Sequence, residues 1–454
     1  MQETTSRDRH LAKTFTATVN EKSRRIGSSF YRGAVANYFP NRRDIANSTA
    51  INDFILKGWM PEQPFVDHKT NIVAFGSCFA ANIGRYLSSL GFDVATQREG
   101  SAYIQRISDG LVNVHAICQQ FEWAWENRVP QVELWHGWKA EEYGYDEEVR
   151  LATKKLFDEA DVFILTFGLS EIWYDEPTGE IFWRAVPQDK FDASRHKFRV
   201  ATFEETIGRM RRIRELIRKH NPRAKIVFTL SPVGLAATFR PVSCITANSV
   251  SKAILRSAID ELYREVHDED PDFFYFPSYE VVTAGFNQPF SSDLRHPAVH
   301  VLNCNMKAFE RYFCLTGLKD EDLQAVIADA LKLDGLLEGA SPGERRKLVA
   351  PEVDAWKLKK GAKDVEKQLA REKRLKARQD KVGQRPVRDP APRNEQAVQR
   401  AERAAALKER TAERERRLEQ RANRSGRIAE RIARLKAGVA ERIDRLKAKA
   451  GDPE

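Results

Sequence analysis

Between residues 71 and 276, short apolar runs alternate with longer segments of helical periodicity, and few folds accept that alternation. Ile72-Val73-Ala74-Phe75 reads as a buried strand that stops at Gly76-Ser77. Phe79, Ile83, Tyr86, Leu87 and Leu90 recur at helical spacing and end at Gly91, a natural helix terminator. Phe92 to Ala95 is expected to be a second strand and Val112 to Trp125 a helix. Asp161 to Gly168 is the clearest strand of the chain. Ile172 to Trp183 carries the turn Pro177-Thr178-Gly179 between aromatic residues, which predicts a hairpin insertion. A helix over Phe203–His220, a strand over Lys225–Leu230, a helix over Asn248–Val266 and a short strand over Phe273–Phe276 complete the pattern. Strands that are apolar throughout need cover on both faces, so the expectation is an α/β fold with a parallel sheet. Ligand sites of such sheets lie beyond the strand carboxyl ends, where Gly76-Ser77, Gly168 and Ser231 fall.

The flanking segments differ in composition. Residues 1–65 are polar and basic with one aromatic patch, Phe30-Tyr31-Arg32-Gly33, and are expected to form an arm or loosely packed cap. The globular unit is placed at 66–335, a linker at 336–354 and a basic helical tail at 355–454, with a Pro-rich break near 384–393. From Pro351 to Glu454 there are 31 Lys/Arg against 18 Asp/Glu, a net of +13, while the whole chain carries +10. The basic character thus belongs to the tail and leaves residues 1–350 at −3. Ile428, Ile432, Leu435, Val439, Ile443 and Leu446 draw one thin apolar stripe along the tail, the pattern of a coiled coil or of a helix docking on a partner. Oligomerisation or contact with an anionic polymer would suit it, and so would a plain solvated helix.

No run is long and apolar enough for a membrane span, and the first residues lack the apolar core of a secretory signal. Five scattered cysteines without C-x-x-C spacing argue against a disulfide framework and a structural zinc. A cytoplasmic protein without metal or cofactor is expected. No Walker loop, G-x-G-x-x-G or specific nucleic-acid motif is present.

Ser77 follows a strand and opens a helix, where unpaired N–H groups point at the ligand edge and can stabilise an oxyanion. The plainer reading is a helix N-cap. Asp293-Leu294-Arg295-His296 spaces a carboxylate and an imidazole three apart, which on one face of a helical turn lets the carboxylate fix the ring tautomer. Its plainer reading is a surface ion pair. Taken together, Ser77 early and Asp293 and His296 late around a parallel sheet form a candidate catalytic triad.

The pentapeptide Gly76-Ser77-Cys78-Phe79-Ala80 resembles the signature of the GSCFA family, which is related to the SGNH/GDSL esterases. The resemblance covers roughly Phe65 to Cys314. It continues through Thr166-Phe167-Gly168-Leu169-Ser170-Glu171, through Leu230-Ser231-Pro232-Val233 with Asn248-Ser249-Val250-Ser251-Lys252, and through Asp293-x-x-His296-Pro297. It implies a flavodoxin-like SGNH three-layer sandwich and serine acyl-ester chemistry, with Ser77 as nucleophile and Asp293 and His296 as its partners. It further implies an oxyanion held by the serine N–H, a block-two glycine and a block-three asparagine. Gly110 is the candidate glycine. The block-three asparagine is replaced, since G-x-N-D reads Gly168-Leu169-Ser170-Glu171, and Ser170 or Asn113 is the candidate substitute donor.

Cys78 is the rival nucleophile, because a thiol at a helix N-terminus is reactive in its own right. Adjacent helical side chains diverge by about 100°, so only one of the two can meet His296, and Cys78 is read as a small core residue. Lys252, with Arg256, is a candidate for greeting an anionic substrate; Asn248 and Ser251 are N-cap or substrate-binding candidates. The tryptophans at 123, 125, 135, 138, 173 and 183 and Tyr174 suit sugar stacking, a lid or the core. These residues together predict an O-acyl esterase or acyltransferase for a small acyl ester, among which an acylated saccharide is one candidate. The alternative is a non-catalytic glycan- or partner-binding scaffold on the same fold.

Overall fold

Four parallel strands make the spine of the molecule, and the residues that form them are those whose side chains are apolar on both faces. The computed structural model describes residues 14–19, 22–27, 37 and 39–351, with positions 108, 109, 133, 137–140, 145, 342 and 346 outside it. The expected tail over 355–454 and the patch at Phe30 therefore lie outside the described residues. In chain order, an antiparallel hairpin pairs β1 (Thr14–Val19) with β2 (Lys22–Gly27). The first sheet strand β3 (Ile72–Gly76) leads into α1 (Cys78–Ser89), and α2 (Val114–Glu126) follows. A small ribbon, β4 (Leu134–His136) with β5 (Glu141–Tyr143), precedes α3 (Glu147–Asp158). Then come β6 (Val162–Phe167), β7 (Glu171–Asp175), β8 (His196–Val200), α4 (Phe203–His220), β9 (Lys225–Leu230) and α5 (Cys244–Val266). The domain ends with β10 (Phe273–Tyr275), α6 (Ser278–Gly285), α7 (Val299–Phe313) and α8 (Asp320–Leu337).

The sheet order is β3-β6-β9-β10, all parallel, with Val94 adding one parallel bridge to Ile72 on the outer side of β3. The expected strand over Phe92–Ala95 is thus reduced to a single bridge. The chain turns there into a short 3-10 segment, Ala95–Gln97, because the Thr96 hydroxyl donates to Ala74 O (2.8 Å) and ends the pairing. Strand alternation divides the core in two. Val73 and Phe75 face α2, α3, α4 and α5, whereas Ile72 and Ala74 face α1, α6, α7 and α8. Phe75 packs against the stacked pair Phe121 and Phe157, with ring centroids 5.8 and 5.9 Å away, and burying such a side chain contributes about 2–3 kcal/mol.

Gly76 decides how β3 hands over to α1. Its φ of +129° is closed to L side chains, and a Cβ there would lie 2.2 Å from Thr166 O. Only glycine lets β3 run this close to β6 and still turn into a helix.

The hairpin expected within Ile172–Trp183 is present in short form: Tyr174 bridges Ile181 antiparallel, Asp175 N donates to Glu180 O and Phe182 N donates to Trp173 O (2.9 Å each). The full ladder of β7 is instead made with β8, which begins at His196, well beyond the Pro177-Thr178-Gly179 turn. The Asp175 carboxylate holds the longer connection by accepting from Arg195 (2.9 and 3.0 Å). Burial raises two further points about the flanks. Ala50, Ile51, Leu56 and Val66 are buried, and Trp59 packs on Tyr263 and Tyr275, so the end of the N-terminal segment belongs to the core. In the segment expected as linker, Arg345 donates to Gln288 Oε1 (2.8 Å). Among the described residues no helix is long and apolar enough to cross a membrane.

Candidate active site

The β3–α1 junction carries Ser77 to the carboxyl end of the sheet. Ser77 has extended backbone angles and N-caps α1: its Oγ accepts from Phe79 N (3.1 Å). The capping role coexists with a hydroxyl proton that stays available. Ser77 and the half-buried Cys78 both line a cavity of about 290 Å³ at the carboxyl ends of β3, β6 and β9. Cys78 is therefore at the cavity and not in the core as expected. Gly168, at the end of β6, sits directly against the serine; a Cβ on it would lie 3.6 Å from Ser77 Cβ and 3.1 Å from Val112 O.

Asp293 and His296 meet as their spacing predicts, but in a tight turn rather than on a helix. Leu294 stands in the left-handed region at φ +56°, and Ser291 N donates to His296 O (2.8 Å). Asp293 Oδ1 accepts from Arg295 N and His296 N (3.0 Å each) and from Ser291 Oγ (2.7 Å), while Oδ2 meets His296 Nδ1 at 2.5 Å. Burial works to raise the Asp293 carboxyl, but these hydrogen bonds outweigh it and hold the group well below its ordinary 3.8. The pair is open to solvent, with side chains 42% and 47% exposed. Ser77 Oγ makes no hydrogen bond to His296, whose Nε2 has no partner among the described residues. The link between the turn and the cavity is Arg295, which sequence reasoning passed over although it stands between the two residues. Its guanidinium donates to Gly234 O and Leu235 O (3.0–3.2 Å) and lines the same cavity as Ser77.

The candidate oxyanion groups are largely engaged elsewhere. The Ser77 N–H donates to Thr166 O (3.1 Å), continuing the β3–β6 ladder, and the Gly110 N–H donates to Ile107 O (3.0 Å). Ser170 Oγ is buried, has no partner and does not line the cavity; the Ser170 N–H donates to Ser251 Oγ (2.8 Å). Asn113 does line the cavity. Its Oδ1 caps α2 by accepting from Ala116 N (2.8 Å), and its Nδ2 donates to Phe182 O and Trp183 O (3.3 and 3.2 Å). Its backbone N–H has no partner among the described residues.

Lys252 does not greet a substrate. It is buried, and its Nζ donates to Gly168 O, Ser231 O and Val233 O at 2.7 Å each, so every ammonium proton has one carbonyl. Burial, aided by the Arg295 charge, pushes the group down to about 7. Ser251 and Lys252 together clamp the loop after β6 to the loop after β9, and Asn248 Oδ1 holds the latter further by accepting from Leu235 N (3.1 Å). Arg256 pairs with Glu280 (2.6 Å) and lies over the Tyr275 ring, away from the cavity lining. Lys252→Met preserves length and volume but leaves three buried carbonyls without their donor. We expect a loss of about 3 kcal/mol, read as a lower urea midpoint at unchanged slope; an unchanged midpoint would mean that the loops are held by other contacts.

The aromatic residues divide by position. Trp123 and Trp125 belong to the core, while Trp173 and Trp183 line the cavity with Phe182, Phe198 and Phe239. The side chains of Trp135 and Trp138 lie outside the described residues. The role of the β8 and Phe239 segments had no local signal, because they reach the cavity only through the long β7–β8 connection and the loop after β9.

A family model, GSCFA family, matches residues 71–309. Among solved structures, an acetyl xylan esterase (Est2A) from the rumen bacterium Butyrivibrio proteoclasticus is similar at 12% identity and a TM-score of 0.23, covering 58% of this chain. The match spans 63% of that esterase, less than two thirds of its length. Among curated proteins none matches.

Proposed function

The chain belongs to the GSCFA family, and on that premise we propose that it is an SGNH-type serine esterase or acyltransferase acting on an acyl ester. Ser77 is the nucleophile, His296 its base and Asp293 the residue that orients the base. One observation carries the reading: Ser77 floors a cavity whose wall includes Arg295, the immediate neighbour of His296. The sheet supports it. With Val94 outside β3, the strand order is that of a flavodoxin-like doubly wound sheet, whose ligands sit at the switch point beside the first strand.

In this mechanism the exposed turn closes so that His296 Nε2 takes the Ser77 proton, a contact that free enzymes often leave long. The serine oxygen bonds to the carbonyl carbon, and His296 returns the proton to the departing alcohol. Water or a second alcohol then releases the acyl group from Ser77. The Asn113 N–H is the oxyanion donor that the cavity offers. The catalytic unit comprises residues 66–335 together with the buried Ala50, Ile51 and Leu56 that precede them.

A second reading is a binding protein on the same fold. It is favoured by the engaged N–H groups of Ser77 and Gly110 and by the absence of a Ser77–His296 hydrogen bond. A fluorophosphonate probe separates the two. Under the esterase reading it labels the folded protein between pH 6 and 9, and peptide mapping places the adduct on Ser77. A folded protein that stays unlabelled throughout that range leaves the binding reading.

A further inference from the structure

We propose that the cavity above Ser77 is an acyl pocket built for a chain of about six to ten carbons, so that the enzyme prefers medium-chain acyl esters to acetyl esters. The inference rests on the serine-ester reading. Volume is the first ground. The cavity holds about 290 Å³, room for roughly ten groups of the size of a water molecule at about 30 Å³ each, and an acetyl group would leave most of it empty.

The walls are the second ground. They are made by Val112, Trp173, Phe198, Val233, Leu235 and Phe239, with Phe239 standing half-exposed at the rim and packed edge-on against Trp173 (4.9 Å). A saccharide in this space would need polar partners for each hydroxyl. Most polar wall groups are already turned to the protein, while the exposed Arg184, whose Nε donates to Gly110 O (3.4 Å), leaves a cation beside the cavity. Asn113 Nδ2 serves two backbone carbonyls, Glu171 Oε1 accepts from Thr238 (2.8 Å), and Arg295 serves the carbonyls of Gly234 and Leu235. Glu171 Oε2 and Trp173 Nε1 are closed to solvent and lack partners among the described residues, although both residues line the cavity. What enters from the Ser77 floor is thus apolar, and the acyl chain is the part of the substrate bonded to that serine during turnover.

Two measurements test this. The first is binding of sodium octanoate against acetate to the Ser77→Ala protein, followed by tryptophan fluorescence, for which Trp173 and Trp183 are local reporters. At about fourfold per buried methylene, octanoate should bind at least a hundredfold tighter. The second is kcat/KM across p-nitrophenyl acetate, butyrate, hexanoate and octanoate. It should rise about fourfold per methylene until the pocket is full, and Val233→Trp should return the preference to acetate. Octanoate binding no tighter than acetate overturns the pocket whether or not esters are cleaved. Octanoate binding without any ester turnover or Ser77 labelling keeps the pocket and removes the hydrolase reading.

Discussion

Ser77→Ala should lower turnover of p-nitrophenyl butyrate by on the order of 10⁴–10⁶-fold, the scale seen when a serine nucleophile is removed, while Cys78→Ala should retain activity within a few fold. The comparison is needed because both residues line the cavity. The positive φ of Gly76 swings the chain out of β3 so that the next side chain, Ser77, lies at the sheet end. The backbone of Ser77 is then fixed by its bond to Thr166 O and its side chain by the bond from Phe79 N. A fixed hydroxyl beside Gly168, with no side chain there to block an incoming carbonyl, is what attack on an ester requires. Neither partner of Ser77 is lost on folding when alanine replaces it except the N-cap, worth about 1 kcal/mol, so a folded and inactive variant is expected. Retained activity in Ser77→Ala together with loss in Cys78→Ala would move the nucleophile to the thiol.

Asp293→Asn should reduce kcat by about 10⁴-fold with little change in fold. An asparagine Oδ1 can still accept from the backbone N–H groups of Arg295 and His296, so the turn keeps its form. Its amide nitrogen, however, faces His296 Nδ1 where a carboxylate oxygen stood, and the ring is turned to the tautomer that cannot take a proton at Nε2. The same substitution has a pH signature. The Asp293 carboxyl is held below its ordinary 3.8 in the folded chain, so the stability it contributes is complete above pH 3.8 and lost as pH falls through the lowered value. The asparagine variant should lack that acid-side loss, a difference that melting curves collected below pH 4 can resolve. The effect is modest because the pair is exposed and screened. A kcat within tenfold of the parent would mean that Asp293 shapes the turn and takes no part in orienting the base.

Several features were legible because their signals are local. Apolar runs of four to six residues marked β3, β6, β9 and β10, since a strand covered on both faces needs no distant information to declare itself. Val94 marks the limit of that logic: its run was read as a strand, yet the Thr96 hydroxyl ends pairing after one bridge. The contact between Asp293 and His296 was legible from a spacing of three, although the chain makes it through a left-handed Leu294. The β7–β8 pairing was not, because the Pro177-Thr178-Gly179 turn is a strong local cue while the partner strand is selected by distant contacts such as Arg195 with Asp175.

Sequence alone determined the α/β class, the family and the residues at the strand ends, because periodicity and short motifs record the constraints of neighbouring residues. Tertiary structure alone decided which of those residues remain available. Lys252 was drawn beneath the cavity by three carbonyls from two loops, and the N–H groups of Ser77 and Gly110 were taken by the carbonyls of Thr166 and Ile107. A polar group is free or engaged according to the partner that folding places beside it, and residues distant in the chain supply most of those partners.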